Sequence, residues 1–116
     1  MEMINEHING VAVLRLSGRL DAYAAPAVKD FFGKINTDPL PYIIINFSNI
    51  NFIDSTGLAT LLIGMKRCRQ QNGELVLCGL QSPVRTIFEL TRLDKVFSMS
   101  GTQEEAIENI HHRQKG

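Results

Sequence analysis

Runs of apolar residues separated by short polar breaks divide the chain into alternating strand and helix signals. Ile8 and the run Val11-Ala12-Val13-Leu14-Arg15-Leu16 flank Asn9-Gly10. An Asn-Gly pair between apolar runs predicts a type I′ hairpin, because both turn positions need positive φ. The chain therefore opens with an antiparallel strand pair, followed by a break at Ser17-Gly18-Arg19-Leu20-Asp21. Val28, Phe31, Phe32 and Ile35 then recur at the spacing that makes one helical face apolar. Pro26 suits a first helical turn, and residues 36–41, with two prolines, end the helix.

Tyr42-Ile43-Ile44-Ile45-Asn46-Phe47 is rich in β-branched residues and does not alternate, the pattern of a strand buried on both faces. Beyond residues 48–53, read as a connection, Asp54-Ser55-Thr56-Gly57 leads into a second helix reaching about Gln71, with Gly73 after it. Leu75-Val76-Leu77-Cys78 predicts another buried strand. Ser82-Pro83 reads as an N-cap followed by proline, opening a third helix with the stripe Val84, Ile87, Phe88 and Thr91. Val96-Phe97-Ser98-Met99 suits a short last strand. Thr102-Gln103-Glu104-Glu105 has the pattern of a capping box ahead of a final helix that buries Ala106, Ile107 and Ile110. The order implies an α/β fold of α+β sandwich type, a mixed β-sheet opening with an antiparallel pair and about four helices packed on it.

Composition narrows the function more than the fold. A chain of 116 residues, 44% hydrophobic, is expected to form a single domain over 1–116 with its core at about 4–110. Twelve basic side chains balance twelve acidic ones. That balance argues against a general nucleic-acid binder and against a polybasic membrane anchor. No apolar run approaches the roughly 20 residues that span a bilayer, and the start lacks the pattern of a secretory signal. A cytoplasmic protein without a membrane partner is expected. Cys68 and Cys78 have neither CxxC nor zinc-finger spacing and read as buried reduced thiols. The basic stretch His111-His112-Arg113-Gln114-Lys115 reads as a solvated end. No metal or cofactor is expected, and a monomer is the expectation for so small a module.

The Asp54-Ser55-Thr56-Gly57 turn is the most informative stretch. One short polar residue there suffices to cap a helix, and three exceed that need, which leaves a side chain free at the positive end of the helix dipole. Such a place accommodates a phosphate. Around the helix that follows, Leu58, Leu61, Leu62, Met65 and Cys68 fall on the side expected to meet the sheet. Thr56, Thr60, Ile63 and Arg67 fall opposite, with Gly64 beside them. Two readings of that outer face stand: a surface with one scattered apolar residue, or a partner-binding face formed by Thr60, Ile63, Gly64 and Arg67.

Catalytic readings find little support. A serine nucleophile elbow needs G-x-S-x-G and a histidine in reach, whereas the histidines are His7, His111 and His112, all near the ends. Phosphate-binding glycine loops are absent from the sequence. Asp54 after a buried strand invites comparison with a phosphoacceptor aspartate. That chemistry needs an acidic cluster for Mg²⁺, and the first strands end in one acid, Asp21. The expectation is a protein that is not an enzyme.

Asp54-Ser55-Thr56-Gly57-Leu58 resembles the hallmark of the STAS domain of bacterial anti-sigma factor antagonists, in which the serine is phosphorylated. Gly18-Arg19-Leu20-Asp21, Gly73-Glu74-Leu75-Val76-Leu77 and Thr91-Arg92-Leu93-Asp94-Lys95-Val96-Phe97 extend the resemblance from about Ile4 to Ile110. Arg92 departs from it, since many members carry glycine there. The resemblance implies a partner-switching regulator. Unphosphorylated, such a protein binds an anti-sigma factor that is also a serine kinase; phosphorylation of Ser55 releases it, and a PP2C-type phosphatase resets it. Asp54, Thr56, Gly57 and Asp21 are the implied neighbours of the phosphoacceptor. The alternative is a STAS scaffold or regulatory module serving secretion, transport or another signalling assembly without a sigma factor.

Overall fold

The computed structural model describes residues 1–34 and 42–115, with side chains as far as His112. Ile35 and the helix-ending residues 36–41 of the sequence reading lie outside the described residues. The hairpin forms as the Asn-Gly pair requires: β1 (Glu2–Ile8) and β2 (Val11–Leu20) pair antiparallel. Asn9 and Gly10 between them have φ of 51° and 81°. α1 (Ala25–Lys34), β3 (Tyr42–Ile53), α2 (Ser55–Gln70), β4 (Glu74–Cys78), α3 (Ser82–Leu90), β5 (Ser98–Ser100) and α4 (Gln103–Lys115) follow. The five strands lie in chain order in one sheet, with β2, β3, β4 and β5 parallel. No described helix is long and apolar enough to cross a membrane.

Alternation along the central strands sorts side chains onto two faces. Leu14, Leu16, Ile43, Ile45, Leu75 and Leu77 join Val28 and Phe32 of α1, Leu61 and Met65 of α2, and Val84 and Phe88 of α3 in the larger core. Val11, Val13, Ile44, Val76 and Cys78 point the other way and are covered by Ala106 and Ile110 of α4. Three helices therefore share one face, and the fourth closes the other. The expected stripe of α4 holds, and its N-terminus is capped by Thr102 Oγ1, which accepts from the Glu105 amide at 3.1 Å.

Several boundaries differ from the sequence reading, each for a local reason. β2 does not break at Ser17: Ser17 and Gly18 pair with Asn49 and Ile50, and the strand continues to Leu20. β3 runs on through residues 48–53 because two register shifts against β2 absorb extra residues. Ile50 and Ile53 are thereby buried, while Ser48, Asn49 and Asn51 stay exposed. Ser82 is the first residue of α3 rather than its cap; Gln81 holds that position and donates its side-chain amide to Ser48 O at 2.7 Å. Thr91 ends α3 exposed, its hydroxyl donating back to Ile87 O at 2.7 Å. A 3-10 turn over Leu93–Lys95 delays the last strand to Ser98. The basic end is helical as far as Lys115, and His111 Nε2 lies 3.1 Å from Asn9 O.

Both cysteines are free and buried. Burial pushes the Cys68 thiol up to about 12 and the Cys78 thiol up to about 11, with Glu74 and Glu104 adding to the respective shifts. An unfolded chain releases these protons near 9, whereas the fold retains them. Stability therefore falls as pH rises from about 9 toward 12. In urea titrations across that range, a Cys68→Ala, Cys78→Ala double variant is expected to show a shallower decline than wild type.

Arg92 precedes the 3-10 turn with φ 62° and ψ 16°, left-handed for a residue with a Cβ. Glycine removes a strain of about 1–2 kcal/mol and gives back roughly 0.5–1 kcal/mol in chain entropy. Arg92→Gly is expected to stabilise the fold by up to about 1.5 kcal/mol, measured by thermal denaturation.

Candidate functional site

The parallel strands β2 and β3 end side by side, and the chain turns from each into a helix at the same edge of the sheet. Asp54 N donates to Leu20 O at 3.3 Å, joining the two strand ends. Asp54 is then extended, with φ −110° and ψ −176°, and caps α2. Its Oδ1 accepts from Gly57 N at 2.8 Å and its Oδ2 from Ala22 N at 3.2 Å. One carboxylate thus satisfies a first-turn amide of α2 and holds the loop before α1. Gly57 permits this closeness, because a Cβ there would lie 2.5 Å from Leu20 O.

Asp21 organises the same loop from its other side. Its Oδ1 accepts from the amides of Tyr23 and Ala24, each at 3.1 Å, and Arg19 Nε lies 3.7 Å from its Oδ2. The Arg19 guanidinium also stacks 3.9 Å above the centre of the Phe52 ring on β3. Asp21 and Asp54 thus hold the same short loop, through Tyr23 and Ala24 on one side and Ala22 on the other.

Ser55 is the first residue of α2 and is exposed. Among the described residues its hydroxyl has no hydrogen-bond partner, since Asp54 does the capping. Thr56 is also exposed, and its carbonyl accepts from Thr60 Oγ1 at 2.9 Å. The hydroxyl of Ser55 is open to a reagent from outside, and both oxygens of the nearest carboxylate are already engaged as acceptors. Among the described residues there is no group of three metal-ligating side chains.

The outer face of α2 is not open as the helical projection suggested. Thr60 and Gly64 are buried, because α1 packs against them. The Phe32 ring fills the space where a Gly64 side chain would be. Arg67 is half-buried, its guanidinium donating to Phe32 O at 3.3 Å. Of the four proposed docking residues, Ile63 alone is exposed, at 40%. A shallow cleft of about 320 Å³ remains between α1 and α2, bordered by Ala22, Pro26, Lys29, Asp30, Thr56 and Thr60, so Thr60, though largely buried, lines its floor. The sequence reading missed the hold of Asp54 on Ala22. Its legible trace was Asp21, a residue type that binds amides two and three positions onward.

Comparison with known proteins places this geometry in a family. The STAS domain profile matches residues 2–106. The chain belongs to the STAS domain family. It is 28% identical to the anti-sigma F factor antagonist of Paenibacillus polymyxa over 90% of this chain and 91% of that protein. With the anti-sigma-B factor antagonist of Listeria monocytogenes it shares 31% identity over 78% of this chain and 79% of the relative. The anti-sigma factor antagonist SpoIIAA has been solved in both phosphorylation states. This STAS chain superposes on the unphosphorylated form with TM-score 0.74 and 25% identity, covering 95% of this chain and 98% of that one. For the phosphorylated Bacillus form the TM-score is 0.73 at 25% identity, covering 94% and 99%.

On an open helix face, Gly64→Ala would gain about 1 kcal/mol from helix propensity. Beneath Phe32 the added methyl forces a ring out of its place, an overpacking of about 1–3 kcal/mol. Gly64→Ala is therefore expected to destabilise the STAS fold, and the sign of the shift in urea midpoint decides between an open and a covered face.

Proposed function

We propose that the protein is an anti-sigma factor antagonist working by partner switching. Unphosphorylated, it binds an anti-sigma factor that is also a serine kinase; ATP-dependent phosphorylation of Ser55 ends the complex, and a PP2C-type phosphatase restores it. The circuit operates in the cytoplasm. The observation that carries this reading is the exposed Ser55 hydroxyl at the first position of α2, beside a cap that does not use it. Named relatives that antagonise anti-sigma factors over most of the chain support it.

Electrostatics gives the switch its direction. A phosphoserine adds about −1.5 to −2 charges and three acceptor oxygens. At the N-terminus of α2 that charge meets the positive end of the helix dipole, so the fold tolerates it. In a docked interface it would be desolvated beside the Asp54 carboxylate, and mispaired charge of that kind costs about 2–5 kcal/mol. That range corresponds to roughly 30- to 4000-fold weaker binding. SpoIIAA, solved in both states and superposing almost equally well on this chain, supports a switch without refolding.

The test combines modification and stability. Incubation with ATP and candidate anti-sigma factor kinases, followed by mass spectrometry, is expected to find phosphate on Ser55; phosphate confined to Thr56 would refute the assignment. Ser55→Asp is expected to weaken binding to that kinase by at least about 30-fold and to change unfolding free energy by less than about 1 kcal/mol. Melting of the domain by Ser55→Asp would remove the physical basis of the proposal.

A further inference from the structure

The loop that Asp54 holds carries an aromatic residue that the fold does not use. Tyr23 is 95% exposed, against 40% for Ile63 on the neighbouring helix. Leu90, at 79%, ends α3 at the opposite end of the sheet, because α3 returns from the end of β4 to the start of β5. Among the described residues the Tyr23 phenol makes no hydrogen bond. The backbone beneath it is tied down. Ala22 N donates to Asp54 Oδ2 at 3.2 Å, Tyr23 N to Asp21 Oδ1 at 3.1 Å, and Ala25 N to Asp21 O at 2.9 Å.

A fixed backbone under a bare ring is the arrangement of a preorganised contact. A loop that is already ordered loses little freedom on association. Tyrosine presents a large, stiff surface with few torsions to immobilise, and it is enriched among the residues that dominate interface energies. The loop is continuous with the phosphoacceptor, since the carboxylate that binds Ala22 belongs to the residue before Ser55. Ala22, the residue before Tyr23, borders the cleft that Thr56 shares, and Tyr23 borders a second hollow with Gly18, Arg19 and Asp21, so a surface that covers the start of α2 and this loop would meet both.

We infer that Tyr23 is the specificity anchor through which the serine kinase recognises this substrate, its ring entering an apolar concavity on the kinase while Ser55 meets the ATP phosphate. The inference rests on the reading of Ser55 as the phosphoacceptor and names the contact by which its partner is chosen. Tyr23 takes no part in the phosphoryl transfer.

An internal competition tests it whichever kinase in the cell acts on Ser55. Isotope-labelled wild type and unlabelled Tyr23→Ala are mixed in equal amounts in a lysate of the source organism with Mg-ATP. Initial phosphate incorporation at Ser55 is then read by mass spectrometry, and its ratio equals the ratio of kcat/KM. Wild type is expected to react at least about 30-fold faster, the change that loss of a dominant interface residue produces. Tyr23→Phe, which keeps the ring, is expected within about threefold of wild type, and Tyr23→Ala melts at the wild-type temperature. Equal rates for wild type and Tyr23→Ala would overturn the anchor while leaving Ser55 as the phosphoacceptor. A Tyr23→Phe as slow as Tyr23→Ala would overturn the apolar contact. Absence of phosphate from Ser55 in all the proteins would instead bring down the partner-switching reading beneath it.

Discussion

The carboxylate of Asp54 is divided between two elements that the chain separates by more than thirty residues. One oxygen receives the Gly57 amide of α2, and the other receives Ala22 in the loop before α1. Both amides would otherwise lack a partner within the fold, and an unmet amide is expensive once water is excluded. The ends of β2 and β3 are drawn together by the same residue, through Asp54 N and Leu20 O. Because Asp54 caps the helix, Ser55 does not have to. Had the serine been the cap, adding a phosphate would have removed a structural hydrogen bond along with changing the surface. Separation of the two tasks between adjacent residues leaves the hydroxyl chemically available.

Much of the architecture was legible because its causes are local. Asn9-Gly10 selects a hairpin by backbone sterics, Ile43-Ile44-Ile45 announces a doubly buried strand, and Ala106 with Ile110 marks the inward face of α4. The turn that carries Ser55 was equally plain, since three short polar residues between a strand and a helix are more than a cap uses. Other features depended on neighbours distant in the chain. The continuation of β3 past Phe47 was hidden by Ser48, Asn49 and Asn51, polar residues that a register shift turns outward. A projection of α2 groups Thr60, Ile63, Gly64 and Arg67 correctly on one side but cannot say which helix lies over them. Gly64 was the available hint, because a glycine in mid-helix commonly marks the close approach of another element. The ring of Phe32 is that element.

The covering of α2 by α1 moves the free surface toward the end of the sheet. With Gly64 enclosed, what remains near Ser55 is the first turn of α2, the cleft that Thr60 lines between the two helices, and the loop carrying Tyr23. These parts belong to different segments, yet Asp54 and Asp21 fix them relative to one another through backbone amides. On the proposed reading, the surface offered to a partner is built from loop and helix start. The side of the helix serves the interior.

The scaffold and the switch can be independent because they answer to different forces. The two cores on either face of the sheet are held by apolar burial, which a charge at the surface barely alters. The site lies where those cores end, and its geometry is set by amides that a phosphate does not need to displace. A new dianion at Ser55 finds the field of the α2 N-terminus in its favour as long as water surrounds it. Once a protein surface excludes that water, repulsion from Asp54 is no longer screened and the phosphate oxygens demand donors the interface was not built to supply. In the proposed switch the same group would therefore be neutral to folding and hostile to docking, and the solvent it loses on docking would make the difference.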